Sequence, residues 1–522
     1  MRKFDDRVTQ VIHRVGPIPG ASEYAGDWAT SEDALVRFPL GVLWFDDTLA
    51  HFKRSPQPKF VDGVMISRPK DWHAARVKGN NKIDYPLLPV VLSDIYTGRV
   101  LDDAEQQPLR DSLPESDPSK HEPSQYRPPR QSNDWKPDQP VIGERFNPLT
   151  GEREPRAFPK TYGCDGGVDY GLFYTLRSGT PAYYDKTIES GTVFLSGPRS
   201  GCTNSIIPSG GLLNVPYFYE GCTCSYPLPS AMSLVSMPES FEQWSSWGEM
   251  KVKPKSIRRI GLNFGAPGDR MDRDGTLWLD YPSVGGPSPA IDVKHFPSET
   301  KFLYQHSMWL GSISNKEYDN EPNPKPWIGG SMAEGMQKLV LNGLKPGEYS
   351  ATLYFDRPQN NDDAQRIQDV KLQGADVVQR QTPTKHAVIS FDVQIDDTFT
   401  MELDAVKGKT LISGLELVRK QNPKIKIQTG HLGKNGFSRL GDKGSRAYKA
   451  YEFCIPKTGA AKKAIKTIDP TIKFNEGSRG RIGCNVETHI LCIGEMRENW
   501  DVILDLIADL EYVAEIRECF FE

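Results

Sequence analysis

Tyr349, Ala351, Leu353 and Phe355 alternate with Ser350, Thr352, Tyr354 and Asp356. Ala387, Ile389, Phe391 and Val393 alternate with Val388, Ser390 and Asp392. Phe399, Met401 and Leu403 alternate with Thr400, Glu402 and Asp404. A period of two puts every apolar side chain on one face of a strand, so each strand must find a second layer to bury that face. Several such strands predict a two-sheet sandwich across residues 256–420. Leu344-Lys345-Pro346-Gly347-Glu348 supplies the turn that opens one strand. With 46 Gly and 41 Pro in 522 residues, turns are frequent and long helices are excluded. No run of 18 apolar residues exists, so no membrane-spanning helix is expected. The formal charge of −4 excludes the chain as a whole from polyanion binding. Met1-Arg2-Lys3-Phe4-Asp5-Asp6 lacks an apolar core, so no secretory signal is read there.

Outside the alternating region the chain divides by composition. Residues 1–101 are turn-rich, with a buried strand read at Phe38–Asp47 and a strand–turn–strand at Asp94–Leu101. Residues 102–140 are dominated by charged residues, Gln, Ser and Pro, and read as a disordered linker or surface excursion. Residues 141–236 return to short strands, and Asn147-Pro148-Leu149-Thr150-Gly151-Glu152 repeats the Thr-Gly turn of Thr97-Gly98. Residues 421–522 read as a small α+β module: a strand at Ala450–Ile455, a helix near Ala460–Ile468, a strand within Cys484–Ile493, and a helix carrying Trp500, Ile503, Leu504, Ile507 and Leu510 on one stripe. From Arg419 to Lys473 there are 14 Lys/Arg and three acids, and from Glu487 onward ten acids and two arginines. The two blocks are expected to neutralise each other inside the module.

The eight cysteines fall into two groups. Cys164, Cys202, Cys222 and Cys224 suit either disulfides or buried thiols. Cys454, Cys484, Cys492 and Cys519 are expected to be free thiols. No paired CxxC spacing makes a zinc site.

Phe38–Asp47, Asp94–Leu101, Tyr162-Gly163-Cys164-Asp165, Arg177–Thr180, Gly197–Cys202 and Gly221–Pro227 resemble propeller proteins of the PQQ-binding-like repeat class, in a form common in planctomycete-type bacteria. Ile260–Gly265, Asp274–Asp280, Leu344–Tyr349, Arg366–Val370 and Ile412–Glu416 resemble malectin-like carbohydrate-binding modules. The resemblances imply a mostly β protein: an incomplete propeller-like region in 1–101 and 141–236, a jelly-roll β-sandwich in 256–420, and the α+β module at 421–522. They also imply a periplasmic or extracellular protein. Residues 1–236 hold strands for three or four blades, too few for a closed ring on their own. Propeller quinoproteins carry adjacent cysteines and a calcium site beside their cofactor. No Cys-Cys pair exists here, so the resemblance does not carry PQQ or calcium across.

Aromatic rings receive the apolar face of a pyranose while carboxylates and amides bond its hydroxyls. Phe264, Trp278, Asp280, Tyr281 and Tyr354 are the candidates for that work, and the inserts around Trp309 and Trp327 could reach the same ligand. Phe264 and Trp278 read more readily as core, whereas Tyr354 alternates onto the polar side of its strand. Asp269, Asp272 and Asp274 concentrate oxygen before Gly275 and suit calcium, against the plainer reading of a solvated turn. No HExxH, Gly-x-Ser-x-Gly or P-loop motif occurs. The basic stretch Lys424–Lys466, with Phe437, Tyr448 and Tyr451, reads as a solvated linker more readily than as a nucleic-acid surface. The function expected is non-catalytic carbohydrate or glycan binding. The alternatives are a quinoprotein-type oxidoreductase acting on sugars or alcohols, and a protein-interaction scaffold acting through 421–522.

Overall fold

A computed structural model describes residues 2–4, 7–9, 17–24, 32–46, 59–67, 76–78, 82–84, 91–112, 144–156, 168–178, 180–195, 206–216, 230–306, 325–356, 366–383, 387–428, 449–497 and 499–519. The described residues are mostly strand, arranged in several sheets, with no closed barrel.

The alternating region forms two sheets around one apolar core. The first has six strands in the order Arg270–Met271, Leu277–Tyr281, Arg259–Phe264, Gly414–Arg419, Gly347–Phe355 and Ala387–Ile395. The second has five, in the order Val293–Phe296, Lys338–Leu341, Phe399–Lys407, Ile367–Leu372 and Ala375–Gln381. Tyr349, Ala351, Leu353 and Phe355 point inward from the first sheet, and Leu339, Leu341, Val370, Phe399, Met401 and Leu403 meet them from the second. Each fully buried Leu or Phe there contributes roughly 1.5–3 kcal/mol of burial energy. The period-two pattern therefore places its apolar set where it was expected.

Before this region lie two four-stranded antiparallel sheets. One runs Val168–Asp169, Phe173–Ser178, Thr180–Asp185 and Val193–Phe194. The other runs Ile207–Ser209, Leu212–Val215, Ala231–Ser236 and, from far upstream, Leu40–Asp46. The two Thr-Gly turns share one hydrogen-bond pattern. Asp94 Oδ1 accepts from the Tyr96 N–H (2.8 Å) and Oδ2 from the Thr97 hydroxyl (3.0 Å). Asn147 Oδ1 accepts from the Leu149 (2.9 Å) and Thr150 (3.2 Å) N–H groups. In each turn the glycine N–H donates back to the carbonyl of the Asp or Asn residue. Gly98 and Gly151 have φ of +73° and +74°, a conformation that costs glycine nothing.

Of the segment 102–140, read as a disordered linker or a surface excursion, the described start is ordered. Asp103–Ser112 is a helix. Asp102 and Glu105 form a reciprocal capping box, each side chain accepting from the other's backbone N–H at 2.9 Å. Composition alone hid this, because the cap lies in two acids three residues apart.

The C-terminal region forms a five-stranded sheet in the order Ile425–Lys426, Ile516–Cys519, Ala450–Pro456, His489–Glu495 and Lys473–Asn475. From Ala450 the chain runs strand, helix, strand, strand, helix, strand, the split βαβ arrangement. Helices Gly459–Ile468 and Trp500–Ala508 cover one face, packing Ile465, Ile503 and Ile507 onto Tyr451, Phe453 and Ile455. Tyr451 is thus a core ring stacked on Phe453, not a surface base-stacking group. The expectation of free thiols in this region is corrected: Cys454 and Cys484 form a disulfide, while Cys492 and Cys519 are free. The disulfide holds the Gly-rich segment after Asn475 against the sheet face opposite the helices. The other cysteine group, Cys164, Cys202, Cys222 and Cys224, lies outside the described residues.

The acidic block is used differently from the expectation. Asp505 and Asp509 on the last helix pair with Arg258 and Arg419 of the six-stranded sheet, and Asp509 also takes Lys345 at 2.8 Å. Asp505 and Asp509 are therefore neutralised at the junction with the neighbouring sheet region, while Glu518 pairs with the module's own Lys449 at 2.9 Å. The hairpin Glu144–Phe146/Arg153–Pro155 bridges the same junction. Its Leu149 enters the two-sheet core, and its Phe146 packs against the C-terminal core.

Candidate functional site

The inner face of the six-stranded sheet is taken by the core, so candidate residues divide by parity. Phe264 and Tyr281 point inward. Phe264 is wholly buried in the core, which is the second of the two readings made for it. Tyr281 packs edge-on against Phe264 and Phe302, and its hydroxyl meets His295 Nδ1 at 2.7 Å. Trp278, Asp280 and Tyr354 point outward together. Across the sheet Asp280, Asn263, Gly414 and Tyr354 stand in one register row, and Trp278, Gly261, Glu416 and Thr352 in the next.

The Trp278 indole lies across Gly261 and reaches Gly414, because neither has a side chain to lift it. Tyr354 meets it edge-on at 5.3 Å and Trp327 at 5.7 Å; Trp244 continues the series against Trp327 at 6.0 Å. Trp327 sits on the short helix Pro326–Gly329. Arg270 stacks its guanidinium 4.3 Å above the Trp327 ring and donates to the Glu239, Phe241 and Gln243 carbonyls. Complete burial brings its pKa down to about 9. The Trp278 and Trp327 rings are fully buried and Tyr354 nearly so. The protein's own groups thus occupy the faces a pyranose would need. Burial, reinforced by Glu416 accepting its hydroxyl proton at 3.2 Å, holds the Tyr354 phenol well above its ordinary pKa. Trp309 lies outside the described residues.

The three acids weighed for calcium make contacts within the protein. Asp272 Oδ2 accepts from Trp278 Nε1 (2.9 Å) and Lys325 Nζ (2.6 Å), and Lys325 also reaches Asp274 at 2.9 Å. The lysine ammonium takes the place a cation would have. Asp269 turns elsewhere, accepting from the Ser288 hydroxyl (2.7 Å) and the Trp247 and Asp280 N–H groups. No group of three or more His, Cys, Asp or Glu side chains among the described residues could hold a metal. Asp280 spends Oδ2 on the Val284 and Gly285 N–H groups, while its Oδ1 is buried without a hydrogen-bond partner. Burial, with Asp280 adding repulsion, pushes the Asp269 carboxyl up to about 7.

Beside this packed cluster lies a groove of about 1150 Å³. Its walls are the turn at Asp272–Gly275, the hairpin around Phe146 and Asn147, the segment Lys186–Glu189, and the start of the last helix at Asn499–Val502. Arg259 of the six-stranded sheet and Trp500 also line it. Sequence reasoning missed these residues, because a groove assembled from four separated segments leaves no local pattern. Only the outward parity of Arg259 in its strand could have signalled it.

No protein-family model matches the chain, and no curated protein matches it. Among solved structures, a β-glucuronidase from Bacteroides uniformis aligns with TM-score 0.24 and 11% identity, over 31% of this chain and 18% of that one. The extracellular domain of ANXUR2 from Arabidopsis thaliana gives 0.24 and 10%, over 32% and 42%. The ANX2 ectodomain from the same plant gives 0.22 and 12%, over 37% and 59%. The aligned part thus spans less than two thirds of each of these structures, and scores this low carry no argument.

Proposed function

We propose that the protein is a non-catalytic carbohydrate-binding protein whose ligand lies in the groove beside Asp272–Gly275. One observation carries this reading. The groove is lined by the half-buried rings of Phe146 and Trp500, by the amides of Asn499 and Gln421, and by several charged groups. Rings with amides and charges at intervals suit a hydroxyl-rich ring ligand. The fold reading that accompanies it is a malectin-like jelly-roll sandwich in 256–420 attached to propeller-like sheets. Two sheets on one core support the first part. The pairing of Leu40–Asp46 with Ala231–Ser236, which closes a sheet across nearly two hundred residues, supports the second.

A glycan array followed by calorimetry on the full chain tests the function. Binding of at least one oligosaccharide, weakened in Phe146→Ala, is the expected result. No saccharide bound at millimolar concentration overturns it.

A further inference from the structure

We infer that the groove selects acidic saccharides, specifically uronic-acid residues, through Arg259 with Arg273 beside it; this rests on the carbohydrate reading above. Arg259 is held before any ligand arrives. Its Nε donates to the Thr276 hydroxyl at 2.7 Å, and one terminal nitrogen stands 3.9 Å from Glu416. Among the described residues neither terminal nitrogen makes a hydrogen bond, and the side chain keeps 28% of its surface exposed. A planar fork fixed at its base, with only a long ion pair to Glu416 at one terminal nitrogen, matches a planar carboxylate in bidentate geometry. Arg273 is exposed in the adjacent turn, and among the described residues no acid forms an ion pair with its guanidinium.

The charge around these two arginines favours an anion. Of the nine Lys or Arg that line the groove, seven pair closely with acids, which leaves Arg259, 3.9 Å from Glu416, and Arg273 as the least engaged cations. Asp272 and Asp274, the sequence neighbours of Arg273, are already taken by Lys325, while Glu239 accepts from the Arg273 backbone N–H at 2.9 Å. Asp501 on the far wall is exposed and can accept only from donors such as sugar hydroxyls. A polyphosphate would meet that carboxylate as a repulsion, whereas a hydroxylated ring would use it.

The test is calorimetry of the full chain with a galacturonic-acid hexamer and with the same hexamer after carboxyl reduction. The acidic hexamer is expected to bind at least tenfold tighter. Arg259→Lys, which keeps the charge but loses the fork, is expected to remove most of that preference, and binding is expected to weaken as salt is raised. Arg273→Ala, at an exposed position, provides a second variant whose folding is secure and is expected to lower only the acidic hexamer's affinity. Equal binding of the two hexamers would overturn the acidic preference and leave the carbohydrate reading standing. Failure of both hexamers, together with a blank array, would overturn both. A hexathymidylate bound as tightly as the acidic hexamer, and weakened by the same variants, would overturn the saccharide class.

Discussion

The indole of Trp278 rests on Gly261: a Cβ at that glycine would meet indole atoms Cε3 and Cε2 at 2.7 and 2.9 Å. The glycine is needed for space, not for backbone freedom, since its φ is not in the left-handed region. Trp278 is boxed by Trp327, Tyr354 and Ile328, so it has nowhere to move. Gly261→Ala is therefore expected to cost about 1–3 kcal/mol, the usual range for forcing a methyl into a packed core. Gly459→Ala, at the start of a helix with nothing within 4 Å, is expected to be neutral or stabilising by a few tenths of a kcal/mol. Urea unfolding of the two variants checks both. Equal midpoints would mean the indole does not depend on that gap.

The Asp269 carboxyl gives a pH dependence of definite sign. Burial and Asp280 raise its folded pKa from 3.8 to about 7. The folded state thus binds this proton more tightly than the unfolded chain. The associated stability is fully present below pH 3.8 and is lost as pH rises through 7. Asp269→Asn is expected to flatten the fall in unfolding free energy between pH 4 and 7. Denaturant titrations at half-unit steps measure it, and an unchanged slope would assign the pH dependence to other groups.

How much of this was legible beforehand follows from the range of the forces involved. Alternation reports a residue's face without knowing its partner, so the strands at Tyr349, Ala387 and Phe399 were readable. So was the outward position of Tyr354. The same parity along Leu277-Trp278-Leu279-Asp280-Tyr281 separates the outward pair from Tyr281, yet it cannot say that Trp327 and Arg270 cover the outward face. Those partners arrive from about fifty residues downstream and from a neighbouring strand. The acidic turn looked like a cation site because its actual cation, Lys325, lies more than fifty residues away in sequence. The Cys454–Cys484 pairing was equally hidden, since it depends on a loop folding back over a sheet whose strand order the sequence does not print.

The last helix is expected to leave the six-stranded sheet if its charge partners are unbalanced. Asp509 is largely buried and accepts from Arg419 at 3.1 Å and Asn422 at 3.2 Å, besides Arg258 and Lys345. Burial alone would raise its pKa, but the cations, Arg258 first among them, hold the carboxyl below its usual range. Asp509→Ala leaves Arg258 buried beside Asp505 alone, and removing one partner of a buried ion pair costs about 3–5 kcal/mol. Hydrogen exchange should quicken across Trp500–Ala508 and Arg258 before it quickens in the core at Leu353. Uniform exchange across all three would show that the network does not control docking.

The disulfide should act on one segment rather than on the whole molecule. Cys484 is tied to Cys454 across 30 residues of chain. Between them the Ile482 N–H donates to Glu452 Oε1 at 2.6 Å, and Gly480 lies close over Leu491. These contacts bury Glu452 and Leu491 on the sheet face that no helix covers. Closing a loop of this length restricts the unfolded chain by about 3–4 kcal/mol. Two backbone-scale contacts cannot replace that restraint. A dithiol reductant, or the double variant Cys454→Ser/Cys484→Ser, is therefore expected to make the bonds after the exposed Arg479 and Arg481 at least tenfold more susceptible to trypsin. The two-sheet core should remain intact under the same digestion. Cleavage at those arginines that ignores the redox state would show that the Glu452 and Leu491 contacts hold the segment without the covalent tie.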